Sequence, residues 1–302
     1  MAEESTIAAA ARLPRAVRSG EAVYDTLLGR HGRLHPAWPL HLGRLLADAE
    51  RLALPALTTA QERALLAAVD AALQQDGSHP FVRLRMDLYA DGPSDLRAPP
   101  SATGVALDVS VATDRVRPPA AVRVGPRLRN AADPLAGCKR AATASERLLP
   151  RHGADDVLLR DVDGMLSEAT TSSLLVLFGD GAIATPWQAS APLRSTTIAL
   201  LAALEPRLRF VAIAPEDLQG SAMVLLNAVA GGRPVASVDG APLRPPEREW
   251  IDRCRALVDG GPLAERAFAA LVRGDGPDWA RDAIARAEAM VRRSGAGIAA
   301  FA

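Results

Sequence analysis

Lys139 is the single lysine in a chain of 302 residues whose other basic side chains are all arginine. Over most of a protein surface arginine can stand in for lysine, since both present a solvated positive charge. Arginine cannot lose a proton near neutral pH, attack a carbonyl and form an imine. A composition that turned every other lysine into arginine and kept one either needs that amine or has kept it by chance on a surface loop. Other groups with chemistry stand around it in sequence order. Arg44 comes early, in an apolar-periodic segment. Glu168 follows the lysine, close to the Asp163-Gly164 turn. Ser195 opens a helical pattern, and Asn227-Ala228 precedes a small-residue turn at Gly231-Gly232.

These groups must be positioned by the elements that carry them. Residues 22–28 read as a short strand with β-branched and aromatic residues at its centre. Trp38 to Leu54 places Leu42, Leu45, Leu46, Ala49, Leu52 and Ala53 on one helical face, and Pro55 ends the pattern. Thr59-Ala60-Gln61-Glu62 reads as a capping box opening a helix to Leu73. Phe81 to Tyr89 alternates apolar and polar residues, as a half-buried strand does, and Val105 to Val111 does the same. A Pro-rich passage, 116–122, reads as a linker. Beyond it the spacing predicts a helix over 140–149, strands over 156–160 and 174–178, and a hairpin at Asp180-Gly181. A helix follows over 196–204, then strands over 223–227 and 234–238. Three helices are predicted in the tail, over 247–258, 263–272 and 278–293.

Composition narrows the function classes. Lys plus Arg and Asp plus Glu are 35 each, so the formal net charge is zero. That argues against a nucleic-acid or anionic-membrane partner, both of which need a basic excess. The richest basic stretch, Arg115 to Arg129, is interleaved with Pro and Val and reads as a solvated strand–loop region. The two cysteines, Cys138 and Cys254, have neither Cys-x-x-Cys spacing nor a His cluster near them, so no metal site is expected. No apolar run is long enough to span a bilayer. The N-terminus starts acidic and does not read as a secretory signal, so a cytoplasmic protein is the expectation.

Five passages, taken in order, resemble the class IV aminotransferase family, pyridoxal-phosphate (PLP) enzymes of fold type IV. The family includes branched-chain and D-amino-acid aminotransferases and 4-amino-4-deoxychorismate lyase. Val23-Tyr24-Asp25-Thr26-Leu27 is similar to the early V-[FY]-[DE]-T-[LI] strand, and His41-Leu42-Gly43-Arg44-Leu45 to the H-x-x-R-L helix. Cys138-Lys139 falls at the family's Schiff-base lysine. Asp155 to Ser173 resembles A-D-E-A-[LV]-L-L-D-x-x-G-x-[IV]-x-E-[GA]-[ST]-x-[SA]-N. Asn227 to Gly240 resembles the late strand and its P-V-x-x-[IV]-D-G turn.

The resemblance implies an α/β fold of two domains with PLP at their interface, and a homodimer. The expected division is a small α/β domain over 1–116, a larger cofactor-binding α/β domain over 122–245, and a C-terminal helical extension over 246–302. Lys139 would form the Schiff base and shuttle the proton, and Glu168 would meet the pyridine nitrogen. Arg44, Ser195, Asn227 and Ala228 would seat the phosphate; Ser195 reads equally as a plain N-cap. Tyr24 and Arg83 would face the substrate, although Arg83 reads equally as a solvent-facing strand residue. The implied reaction moves an amino group between an amino acid and a 2-oxo acid. The alternatives are elimination of pyruvate from aminodeoxychorismate, to which Asn227-Ala228-Val229 is closer, and a degraded non-catalytic member. Departures motivate the last: Leu193-Arg194-Ser195-Thr196 stands where the family has G-[IV]-T-R, and Ser173 where it has Asn.

Overall fold

The computed structural model describes residues 15–75, 79–92, 98–113 and 115–295. In chain order these form α1 (Arg15–Ser19), β1 (Ala22–Arg30), β2 (Arg33–Leu34), α2 (Trp38–Arg51), α3 (Thr59–Gln75), β3 (Val82–Asp91), β4 (Ala102–Val111) and β5 (Ala120–Arg129). There follow α4 (Ala144–Arg147), β6 (Asp156–Asp161), β7 (Leu166–Ala169), β8 (Ser173–Leu177), β9 (Ile183–Pro186), α5 (Thr196–Leu204) and β10 (Leu208–Val211). The chain continues through β11 (Ala222–Asn227), β12 (Gly231–Val238), β13 (Ala241–Pro242), α6 (Arg248–Val258), α7 (Pro262–Arg273) and α8 (Asp278–Ser294).

Two sheets result. The smaller runs β2-β1-β3-β4 and is antiparallel throughout. Its middle strand β3 buries Val82, Leu84, Met86, Leu88 and Ala90 and leaves Arg83, Arg85, Asp87 and Tyr89 half-buried, because successive side chains of a strand face opposite ways. The buried face packs under Leu42 and Leu45 of α2, Leu65, Val69 and Leu73 of α3, and Ala287 and Met290 of α8. The larger sheet runs β10-β9-β8-β11-β12-β5-β6-β7, with β13 on β12. It is mixed: β5 is parallel to both β12 and β6, and β6 is antiparallel to β7. Its strands β6, β7, β8 and β11 are buried almost end to end and read as apolar runs, as strands covered on both sides do. A core of Leu174, Val176, Met223, Leu225 and Val235 lies on one face. The other face carries α5, α6 and α7 through Leu175, Val224, Leu200, Cys254 and Leu271.

Local expectations meet the structure unevenly. The helix over 196–204 and the three tail helices form within a residue or two of their predicted bounds. The capping box is one residue earlier than read: Thr58 and Gln61 exchange the hydrogen bonds, Gln61 N–H to Thr58 Oγ1 and Thr58 N–H to Gln61 Oε1. The stretch read as linker and solvated loop contains β5, in the middle of the large sheet, with Pro126 at a register irregularity where its missing N–H costs nothing. The helix expected over 140–149 shrinks to α4, because Arg140 instead bridges to Val23 and Ala141 N–H bonds Ala22 O.

The tail helices tie the sheets together. α8 crosses α2 so closely that a Cβ on Gly43 would lie 1.7 Å from Ala283 O, which only glycine permits. His35, before α2, donates from Nε2 to Leu257 O at the end of α6 and accepts Ala37 N–H at Nδ1, an arrangement only a neutral ring can make. Burial holds its pKa down to about 4, with the buried His41 adding to the effect. The unfolded chain takes up this proton near pH 6.5 and the native chain near 4, so stability is lost as pH falls through that window. The loss is roughly 3 kcal/mol. His35→Gln keeps a donor for Leu257 and cannot titrate. Urea midpoints at pH 7 and pH 4.5 should fall less in this variant than in the parent; equal falls would refute the assignment.

Candidate active site

The site starts from a buried charge cluster. Asp25 on β1 has no exposure and takes Arg44 Nε and Nη2 at 2.8 Å each, with His41 Nδ1 donating to it at 2.8 Å. Burial alone would push the Asp25 carboxyl up, but the Arg44 guanidinium and His41 outweigh it and hold the group below the ordinary carboxylate range. His41 and Arg44 lie three residues apart on α2 and reach the same strand face. So held, Arg44 turns Nη1 to Arg194 O at 2.6 Å, one residue before Ser195.

Lys139 is bracketed by its backbone. Its N–H donates to Asp48 Oδ2 of α2 at 2.9 Å, and its carbonyl accepts Tyr24 N–H at 3.0 Å. Its Nζ lies 4.6 Å from the centre of the Tyr24 ring. Among the described residues the amine makes no ion pair, yet its charge is felt at both Glu168 and His41.

Glu168 comes from β7 in the other sheet and is buried. Its Oε1 pairs with Arg129 Nη2 of β5 at 2.7 Å, and Oε2 accepts Leu193 N–H at 3.2 Å. Burial pushes its carboxyl up and outweighs the downward pull of Arg129, the Leu193 N–H and Lys139. Ser195 is the N-cap of α5: its hydroxyl accepts Ile198 N–H at 3.3 Å. The Thr196 and Thr197 N–H groups ahead of that bond are the open donors of a helix N-terminus, the kind that seats an anion. Asn227 Oδ1 accepts the Val229 and Ala230 N–H groups, and its Nδ2 donates to Ser172 Oγ at 3.2 Å. This turn leaves the Ala228 N–H outside the Asn227 cap.

The structure thus brings Tyr24, Arg44, Lys139, Glu168 and Ser195 around one locus, with Asn227 and Ala228 joined to it through Ser172. Arg83 stands apart. It pairs with Leu28, four residues along β1 from Tyr24, and meets Asp108 at 3.4 Å near solvent. Arg85 is the arginine at the locus: its guanidinium lies 3.9 Å from the Tyr24 ring centre and is held by Asp87 at 2.7 Å. The alternation of β3 put Arg83 and Arg85 on one face, and only the register with β1 separates them. Asp25, Asp48 and Arg129 are the further residues that the sequence did not single out. Among the described residues no group of His, Cys, Asp and Glu could hold a metal, and no helix is long and apolar enough to cross a membrane.

The chain is a two-sheet α/β fold in which a bracketed lysine lies within electrostatic reach of a buried glutamate. Residues 22–238 match the model of amino-transferase class IV, and the chain belongs to that family. Solved structures agree in fold. A hypothetical aminotransferase from Mycobacterium tuberculosis in PLP-bound form is 25% identical, with TM-score 0.68, covering 86% of this chain and 92% of that one. A fold IV transaminase from Curtobacterium pusillum is 24% identical, with TM-score 0.71, over 82% and 89%. A Legionella pneumophila protein assigned as a 4-amino-4-deoxychorismate lyase is 18% identical, with TM-score 0.72, over 82% and 93%. No curated protein matches the chain in sequence.

The family and the PLP-bound neighbour imply PLP, and the donors present suit it: a lysine amine without an ion pair, a buried carboxylate, and an arginine beside open helix N–H groups. Asp25 supports all of this through Arg44. Asp25→Asn leaves a buried guanidinium without its counter-charge and should cost about 3–5 kcal/mol in urea unfolding at pH 7. A loss below about 1 kcal/mol would show that the cluster is not held by charge.

Proposed function

We propose that the protein is a PLP-dependent aminotransferase that moves an amino group between an amino acid and a 2-oxo acid. What supports this reading is that Lys139, fixed through β1 and α2, and Glu168, fixed through β5 and β7, lie within electrostatic reach of each other. PLP, when bound, supplies an aldehyde for amines and a ring that draws electrons from Cα. Lys139 Nζ is the nucleophile and then carries the proton taken from substrate Cα. Glu168 would hold its carboxylate for the ring nitrogen, with Arg129 and the Leu193 N–H keeping it in place. Arg44, the α5 N-terminus with Ser195, and the Asn227-Ala228 turn seat the phosphate. A groove of about 430 Å³ beside Arg44 is lined by Arg51, Arg194 and Arg286 and by Glu50 and Asp282, with Arg286 paired to Glu50. The site lies between a small α/β domain ending near 116 and a larger one from 122, and we infer a homodimer from the family.

Tyr24 and Arg85 border the substrate, with Arg85 taking the carboxylate role expected of Arg83. A guanidinium stacked on an aromatic ring keeps donors in a fixed plane, which suits a carboxylate. A second reading, elimination of pyruvate from aminodeoxychorismate, is favoured by Asn227-Ala228-Val229.

Borohydride treatment of the PLP-loaded protein should leave the cofactor's mass on the peptide holding Lys139, and Lys139→Ala should lose the label and at least about 10²-fold in turnover. An amino donor alone should convert PLP to its amine form; failure to do so, with pyruvate released from aminodeoxychorismate, would move the protein to the second reading. Absence of label from the parent would defeat both readings.

Arg85→Leu should raise KM for the 2-oxo acid by about 10- to 100-fold with a smaller change in kcat, as loss of a charged hydrogen bond does. Arg83→Leu should leave KM near the parent value. The opposite pattern would return the role to Arg83.

A further inference from the structure

We propose that Asp48 is the positioning residue for Lys139, holding the amine at its working height through the lysine's own amide. Asp48 has no exposure, and its Oδ2 accepts the Lys139 N–H at 2.9 Å. Its other oxygen, Oδ1, is buried without a hydrogen-bond partner. A buried carboxylate with one oxygen unpartnered is expensive, and what offsets it is the Lys139 N–H and the charge of Arg44. Its presence is explained by what it holds rather than by stability.

The geometry extends the argument. Arg44, Asp48 and Arg51 follow one another at helical spacing on α2, so they line one face. Arg44 reaches Arg194 O, Asp48 the Lys139 amide, and Arg51 Nη2 the Pro134 O at 2.7 Å. The segment from Asn130 to Cys138 is a string of turns between β5 and the bridge at Arg140, with no sheet partner of its own. Asp48 and Arg51 strap it to the helix. On the far side of the lysine, Tyr24 N–H and Ala22 O hold the chain to β1. Asp48 therefore completes a bracket in which neither side alone fixes both peptide units of Lys139. The Cys138 thiol lies against the same carboxylate, and partial burial together with Asp48 pushes it up to about 11. Burial raises the Asp48 carboxyl too, offset in part by the Lys139 N–H and Arg44.

The inference rests on Lys139 being the reactive amine, and its test separates the two. In the full-length protein, with and without PLP, amide hydrogen exchange at Lys139 is compared across the parent, Asp48→Ala and Asp48→Asn. Asp48→Ala should speed this exchange on the order of tenfold or more, with amides in the middle of α2 unchanged. Cys138 should alkylate faster, with fully buried Cys254 as the reference in the same molecule. In the PLP-loaded enzyme kcat should fall about 10- to 100-fold at nearly constant KM, as displacement of a reacting group does. Asp48→Asn, which keeps a side-chain acceptor at the same reach, should restore both exchange and kcat. Should Asp48→Ala not fold, Asp48→Ser, whose hydroxyl is too short to reach, takes its place. Unchanged exchange in the alanine variant would overturn the proposal, as would an asparagine variant as impaired as alanine. If the parent takes up no PLP on Lys139, the functional reading fails while the exchange result still decides whether Asp48 holds the segment.

Discussion

A single carboxylate, Asp25, joins the strand on which the site is built to the helix that serves it. Burying Asp25, His41 and Arg44 together is favourable only while all three are present, since removing one leaves the others as uncompensated polar groups in a low-dielectric interior. Two consequences follow from this pairing. Arg44 is turned so that its remaining nitrogen meets the loop before α5, and α2 is fixed in height against β1. Because α2 also carries Asp48, the same ion pair governs where the lysine segment is strapped. Neighbouring positions of β1 divide the labour: Asp25 faces the helix and holds structure, while Tyr24 faces the other way and lies under the amine.

Lys139 and Glu168 are anchored to different sheets. Lys139 is pinned to β1 and α2, on the small-sheet side. Glu168 is pinned by Arg129 of β5 and by the loop before α5, on the large-sheet side. The distance between them is therefore a property of how the sheets are joined, and not of any one loop. That joint is made by Ala37 and Leu40 inside the large apolar core, by the His35 to Leu257 bond, and by α8 lying against α2. The tail helices, read from the sequence as an extension, form the joint itself.

Much of this was legible in the sequence, and the failures have physical causes. Helices whose apolar period and caps agree, such as α5 and the three at the tail, formed where the pattern put them. Lys139 and Glu168 stood out because the first is the chain's one lysine and the second sits in a long motif. Strand β5 was hidden because prolines and arginines mask a buried edge-to-edge role: only Ala120, Val122 and Gly125 are buried, too few to show a period. The helix over 140–149 failed because pairing with β1 overrode local propensity, which is a weak preference against a tertiary hydrogen bond. Alternation makes Arg83 and Arg85 equivalent, and the cross-strand register that sets Arg85 beside Tyr24 is not written in either segment. Asp48 looked like any polar residue on an amphipathic helix; the partner that gives it meaning is far along the chain.

The close crossing at Gly43 and Ala283 has a bearing on biosynthesis. The apolar layer under the small sheet is complete only when Ala287 and Met290 arrive, so the first strands made wait for the last helix. At ribosomal speeds that interval is on the order of tens of seconds. Through it, α2 and α3 can already cover the small sheet, but the side of α2 that α8 will meet stays open, and apolar surface exposed in this way is prone to aggregate. The glycine that lets α8 seat against α2 is, in that light, the latch that ends the protein's most vulnerable period.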